Sequence, residues 1–331
     1  MFSKPSNLVF EGGGVFGIAY LGVLQYLHEH GLLQSINRVA GTSAGAITAC
    51  ITSFNLPFEE TKDIVNTLDY KKVPEKDVHP DLRTMPRFLL NEFNKVFDDF
   101  DCVYRLIKNY GWYSSDYFYN WIKTQIGAQF DSSKKQPPYT FADFKNTSIH
   151  NQQRSFYDLY IIGTDLTNKT SKTFCYETTP NMEVAEAVRI SMSIPLFFEA
   201  IKRKDDASTI FCDGGVLWNY PVEIFDSDSF KDHNMPGANY QTIGARFVSK
   251  IKYYDITNII NYVRNLYLTQ LHIQQDDFNR SPRDIARSIQ IDTGDISPID
   301  FNISTGDEKY QFLYTQGYKA AQSYFENHIY L

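Results

Sequence analysis

Two glycine-rich turns near the start of this 331-residue chain carry residue types that can do chemistry: Gly12-Gly13-Gly14-Val15-Phe16-Gly17 and Gly41-Thr42-Ser43-Ala44-Gly45. Each falls where a short apolar run hands over to a helical pattern. Backbone N–H groups at a helix N-terminus stabilise negative charge, so the first turn can hold an anion. In the second, small residues flank Ser43, which lets a tight strand-to-helix turn form and present the hydroxyl as a nucleophile elbow does. A serine needs a base, and Asp213 supplies a candidate from a different strand, at the end of Thr209-Ile210-Phe211-Cys212 and with room left around it by Gly214 and Gly215. Together these residues fit acyl transfer. Ser43 is the nucleophile, Asp213 the base, and the Gly12, Gly13 and Gly14 stretch the oxyanion hole, with the Gly13 and Gly14 amides as its central pair.

Rival chemistries fare worse. Gly12, Gly14 and Gly17 also satisfy a G-x-G-x-x-G dinucleotide pattern, but that pattern wants an acidic residue at the end of the next strand, where this chain has Ala40-Gly41-Thr42. No Gly-Lys-Ser/Thr run suggests a phosphate-binding loop. Of the seven histidines, only His233 follows Ser43 and Asp213 in the order an α/β-hydrolase uses, so it stays open as an alternative base. Cys50, Cys102, Cys175 and Cys212 are far apart and form no CxxC pair, which favours reduced thiols over a disulfide frame or a zinc site; no metal and no cofactor is expected. A net charge of −7 supplies no basic field for a polyphosphate, which argues against nucleic-acid binding. Aromatic residues make up 15% of the chain, enough to line an apolar substrate channel or meet a membrane interface as well as fill a core. The first ten residues lack a charged and then long apolar leader, and no run of about 18 apolar residues occurs anywhere. The expectation is an intracellular protein, cytoplasmic and peripheral to membranes, with export by a route that needs no N-terminal signal left open.

The elements that must position these groups can be read from the pattern. Asn7-Leu8-Val9-Phe10 and Arg38-Val39-Ala40 suit buried parallel strands, each followed by a glycine turn and a helix. The first helix spans 17–30, with Ile18, Leu21, Leu24 and Leu27 at helical spacing and Gly31 placed to cap it, and the second spans 44–54. Strands are expected at 159–162, 209–212, 242–248 and 289–292, and helices at 183–191, 257–276 and 308–325. This order predicts an α/β fold with a mainly parallel central sheet flanked by helices. The chain reads as a single domain over 1–331. A helical, aromatic insertion occupies about 70–150, including amphipathic stretches at 86–110 and 117–126, and a helical closing segment occupies about 255–331. The insertion is either a lid over the site or a helical layer on one sheet face.

These residues resemble the patatin-like phospholipase family. Glu11-Gly12-Gly13-Gly14-Val15-Phe16-Gly17 is similar to its oxyanion loop, Gly41-Thr42-Ser43-Ala44-Gly45 to its elbow and Asp213-Gly214-Gly215 to its aspartate motif. Ser191-Met192-Ser193-Ile194-Pro195-Leu196-Phe197-Phe198 is similar to the segment that precedes that aspartate. The resemblance implies a three-layer patatin-like sandwich and a lipid acyl hydrolase in which Ser43 attacks a phospholipid or lysophospholipid ester at a membrane or micelle surface. In it Asp213 takes the proton directly, no histidine takes part, and Gly17, Gly41, Gly45, Gly214 and Gly215 support the motifs. Where many members carry Lys or Arg in the glycine loop, this chain has Val15-Phe16. A soluble carboxylesterase or triacylglycerol lipase, a non-catalytic docking module of the same fold, and an activating protein partner all stay open.

Overall fold

The computed structural model describes residues 4–75, 106, 108–202, 208–230, 238–248, 255–257 and 259–328. His79, Cys102, His233 and most of the stretch 86–110 lie outside the described residues. The strands are β1 (Asn7–Phe10), β2 (Arg38–Thr42), β3 (Gly111–Tyr113), β4 (Asp158–Asp165), β5 (Thr170–Phe174), β6 (Leu196–Phe198), β7 (Ile201–Lys202), β8 (Ile210–Asp213), β9 (Thr242–Val248) and β10 (Ser288–Asp292). The helices are α1 (Ala19–Glu29), α2 (Ala44–Ser53), α3 (Phe58–Asn66), α4 (Asp116–Gly127), α5 (Phe141–Lys145), α6 (Val184–Ser191), α7 (Gly215–Trp218), α8 (Ile259–Asn279), α9 (Pro282–Ala286) and α10 (Glu308–His328).

The sheet runs β10-β9-β1-β2-β4-β8-β7, with β5 also paired to β4. Its first five strands are mutually parallel, as buried apolar runs demand. Successive residues feed opposite faces. Leu8, Phe10, Val39 and Ile161 enter the main core, whereas Val9, Ala40 and Tyr160 enter a smaller one closed by Phe225. The sheet is therefore covered on both sides, and the layered α/β architecture is the one expected. The strand after Leu159 runs on to Asp165, and it turns back as β5 through Lys169 at φ +57°, a hairpin the sequence pattern does not announce.

The pairing along β4 fixes where the chemistry sits. Strand β2 pairs in parallel with residues 158–162 of β4 and stops at Thr42 opposite Ile162. Strand β8 pairs antiparallel with the next residues and stops at Asp213 opposite Gly163. Because β5 already occupies the other edge over Ile161 to Asp165, β2 and β8 share one edge and meet end to end. The residue after Thr42 and the last residue of β8 are thereby brought together. A fully parallel β8 would have carried the carboxylate away.

Helix α1 ends as expected, with Gly31 at φ +64° and Leu32 N–H donating to Leu27 O at 2.8 Å. It lies against α10 with the two backbones almost in contact: a Cβ on Gly22 would sit 2.0 Å from Tyr314 O, and one on Gly317 1.8 Å from Ala19 O. The C-terminal helix thus clamps the helix that follows the first glycine turn. No helix among the described residues is long and apolar enough to cross a membrane.

Candidate active site

Ser43 stands between β2 and α2 with φ 53° and ψ −121°, a left-handed conformation that costs a non-glycine residue on the order of 1–3 kcal/mol. The surroundings hold it there. Its N–H donates to Ser191 Oγ at 2.9 Å, and that hydroxyl donates to Ile162 O at 2.5 Å. The flanking glycines are steric necessities: a Cβ on Gly41 would lie 2.2 Å from Gly45 O, and one on Gly45 would lie 2.3 Å from Phe10 O. The elbow is therefore packed against the end of β1, where the glycine loop begins.

Ser43 Oγ donates to Asp213 Oδ2 at 2.7 Å across 170 residues of chain. Asp213 is fully buried. Its other oxygen, Oδ1, accepts the Gly215 N–H at 2.6 Å and the Tyr267 hydroxyl at 3.4 Å, while its own N–H donates to Ser193 O at 2.8 Å. Burial pushes its carboxyl up to about 7, against the lowering pull of the Ser43, Gly215 and Tyr267 hydrogen bonds. A carboxylate is a weak base toward a hydroxyl at its ordinary pKa, and this site narrows the mismatch.

The glycine loop lies over this pair, close enough that a Cβ on Gly12 would approach Ser43 Cβ to 3.1 Å. Gly12 itself is a correction to the sequence expectation. Its N–H donates to Asn219 O at 3.0 Å and its carbonyl accepts Asn219 Nδ2 at 3.1 Å, so this amide is spent on holding the loop rather than on an oxyanion. The Gly13 and Gly14 amides make no backbone hydrogen bond among the described residues. Gly13 caps and Gly14 opens a short 3-10 helix, Gly14–Ile18, and Gly14 adopts a φ of +56° there. Gly17 approaches Ala44 closely, and Gly214 packs on Ile162 O where β2 and β8 meet. Beneath the loop the buried Glu11 carboxylate accepts the Phe247 N–H at 2.6 Å and faces Arg246. Burial raises its pKa, while Arg246 and these hydrogen bonds oppose that shift.

A narrow apolar cleft lies beside the elbow. Ala44, Ile47, Thr48, Ile51 and Thr52 form one stripe of α2 along it, faced by Gly17, Leu21 and Leu24 from the first helical segment and by Trp121. The buried Thr52 hydroxyl has no hydrogen-bond partner among the described residues.

The sequence-derived residues Ser43, Asp213, Gly13, Gly14, Gly41, Gly45, Gly214 and Gly215 all converge here. Of the histidines, His28 rides α1 and His30 follows its last residue, His272 lies in α8, and His150 has its ring nitrogens beside the Arg154 and Asp143 carbonyl oxygens, at 2.7 and 2.9 Å. Sequence reasoning missed Ser191, Asn219, Tyr267 and Gln274. Only Ser191 sat within a quoted motif, and no spacing rule ties the others to it.

Comparison with known proteins points to one family. The model of the family described as patatin-like phospholipase matches residues 8–226. The uncharacterized protein YqhO of Bacillus subtilis is 33% identical over 227 residues, covering 66% of this chain and 66% of YqhO. A probable lipid hydrolase, 463L of Invertebrate iridescent virus 6, is 25% identical over 233 residues, covering 69% of this chain and 64% of that one. Among solved structures, VipD from Legionella pneumophila superposes with a TM-score of 0.57 at 17% identity, over 98% of this chain and 67% of VipD, a likeness of fold. The chain belongs to the patatin-like phospholipase family.

Proposed function

We propose that this protein is a lipid acyl hydrolase that cleaves carboxylic esters of phospholipids or lysophospholipids with a Ser43–Asp213 dyad. The observation that carries this reading is the 2.7 Å hydrogen bond from a strained serine on the β2–α2 turn to a buried carboxylate whose pKa is raised to about 7. Asp213 Oδ2 takes the Ser43 proton as Oγ bonds to the ester carbonyl carbon, and the carbonyl oxygen becomes an oxyanion held by the Gly13 and Gly14 amides. Collapse of this intermediate breaks the bond to the alcohol oxygen, which leaves with the proton from Asp213. Water then attacks the acyl-enzyme, gives its proton to Asp213, and the regenerated serine recovers it as the fatty acid departs. The family membership and the lipid-hydrolase name of the 463L relative support a lipid substrate.

The test is direct. A fluorophosphonate probe is expected to label Ser43 stoichiometrically and to abolish fatty-acid release from mixed phospholipid micelles in parallel, as read by mass spectrometry of peptide and product. A labelled enzyme that still releases fatty acid would place the chemistry elsewhere. Preference for a soluble nitrophenyl ester over micelles would favour a carboxylesterase, and an unlabelled serine would favour a docking module.

The cleft beside α2 supports an acyl-chain site. The stripe of α2 from Ala44 to Thr52 that lines it is about 12 Å long, the reach of about ten extended carbons once the facing side chains part. Each buried methylene contributes about 0.8 kcal/mol, so excluding four of them costs about 100-fold. Ile47→Trp, one helical turn along α2 from Ser43, narrows the cleft and is expected to lower the ratio of decanoyl to butyryl ester hydrolysis by about 100-fold. An unchanged chain-length profile would remove the cleft from the acyl path.

A further inference from the structure

Helix α8 lies wholly beyond residue 226, where the family match ends, yet one of its faces is hydrogen-bonded to the active-site loop at four points. Tyr267 reaches Asp213 Oδ1, Gln270 Nε2 donates to Val216 O at 3.1 Å, and Gln274 Nε2 donates to Gly215 O at 2.8 Å. Gln274 Oε1 also accepts the Asn219 N–H at 2.7 Å, and Asn219 is the residue that grips Gly12 on both sides. Spacings of three and four residues put these side chains on one side of the helix. A single rigid element therefore bears on the carboxylate and on the oxyanion loop together.

Tyr267 stands out among the three because the loop is cut to receive it. A Cβ on Gly215 would sit 2.7 Å from both the Tyr267 hydroxyl and Asn219 Oδ1, so the second glycine after Asp213 leaves the space that these two groups fill. The tyrosine remains a donor at any working pH, since burial and then the nearby Asp213 carboxylate raise its pKa well above the usual range. It is not a reacting group: Ser43 is on Oδ2, and Tyr267 is on the opposite oxygen.

We propose that Tyr267 is a positioning residue for Asp213, holding Oδ1 so that Oδ2 faces the Ser43 hydroxyl. This rests on the Ser43–Asp213 reading. With Oδ1 engaged by Tyr267 and the Gly215 N–H, rotation of the carboxylate away from Ser43 breaks two hydrogen bonds. The same two donors stabilise the ionised form and so keep the base available at lower pH than burial alone would allow. Among the described residues, the ionisable groups that face Asp213 are Tyr267 from α8 and Cys212 from its own strand, and the Cys212 thiol, raised far above its usual range by burial, stays neutral.

Tyr267→Phe removes one oxygen and keeps the ring. Assayed on a soluble butyryl ester with the full-length protein, it is expected to lower kcat about 5- to 10-fold with KM unchanged. The acid limb of the kcat–pH profile is expected to move upward by a few tenths of a pH unit, and the thermal midpoint to stay within about a degree. A wild-type kcat and acid limb in this variant overturn the proposal, as does a loss of kcat with an unmoved limb and a lowered midpoint, which marks a packing role. A second variant, Tyr267→Trp, keeps an N–H donor on a bulkier ring; recovery of the wild-type limb position, whatever the rate, supports the hydrogen bond as the cause, and a limb displaced as in Tyr267→Phe counts against it. A wild-type enzyme that hydrolyses no ester and whose Ser43 resists fluorophosphonate defeats the dyad reading itself, an outcome distinct from these.

Discussion

Asp213→Asn is expected to abolish hydrolysis and, at pH 8, to melt several degrees above the wild type. The two effects share one cause. Burial raises the Asp213 carboxyl to about 7 in the folded protein, whereas an unfolded chain returns it to about 3.9. Between those values the folded state binds the proton and the unfolded state does not, so stability falls as pH rises, and above pH 7 the full penalty of a buried carboxylate is present. About three pH units at 1.36 kcal/mol each set an upper bound near 4 kcal/mol, and on the order of 2 kcal/mol is a realistic gain once Asn has replaced the charge. Asn keeps an oxygen for the Gly215 N–H and the Tyr267 hydroxyl, so little is lost in exchange. The difference in melting temperature should shrink steadily as pH drops from 7 toward 4. The rate should fall about 10⁴-fold, the scale seen when a member of a catalytic serine system is removed. In the wild type the same titration gives an acid limb near pH 7, below which the rate falls about tenfold per unit. An Asn variant no more stable than the wild type at pH 8 would mean that Asp213 carries no desolvation penalty, and its role as a strengthened base would go with it.

Much of this site was legible because its most demanding constraints are local. A serine at positive φ needs small neighbours on both sides, and Gly41 and Gly45 advertise that need in the sequence. The aspartate at a strand end with two glycines behind it reads in the same way. The strands of the parallel half were equally readable, since burial on both faces favours runs dominated by apolar residues, such as Leu8, Val9 and Phe10 in β1. The direction of β8 was not readable. A short strand of four residues pairs in either sense, and what decides it here is the edge of β4 left free beyond Ile162. Gly12 was grouped with Gly13 and Gly14 as an oxyanion donor by adjacency, yet its amide is claimed by Asn219, a partner 207 residues away. Tyr267 and Gln274 were invisible for the same reason: ordinary residues on an amphipathic helix acquire their meaning only from the loop they touch.

The oxyanion loop bears the second large effect. Gly14→Ala is expected to lower kcat by about 100- to 1000-fold, the cost of losing one preorganised donor. Gly14 lies at φ +56°, and a Cβ there would sit 2.0 Å from the carbonyl oxygen of Pro298, which already accepts the Val15 N–H at 3.0 Å. Neither obstacle can be relieved locally, since the acceptor is backbone and the tail behind it is tied down. The loop must therefore shift, and with it the Gly13 and Gly14 amides, while Ser43 and Asp213 remain on the ends of strands the loop does not support. KM should change far less than kcat, because donors aimed at a developing oxyanion act mainly in the transition state. The hydrogen bond between serine and aspartate should survive, which a retained acid limb near pH 7 on the residual activity would report. A Gly14→Ala enzyme with wild-type kcat would show that the charge is stabilised by other groups, leaving the serine and its carboxylate in place but removing the cradle above them.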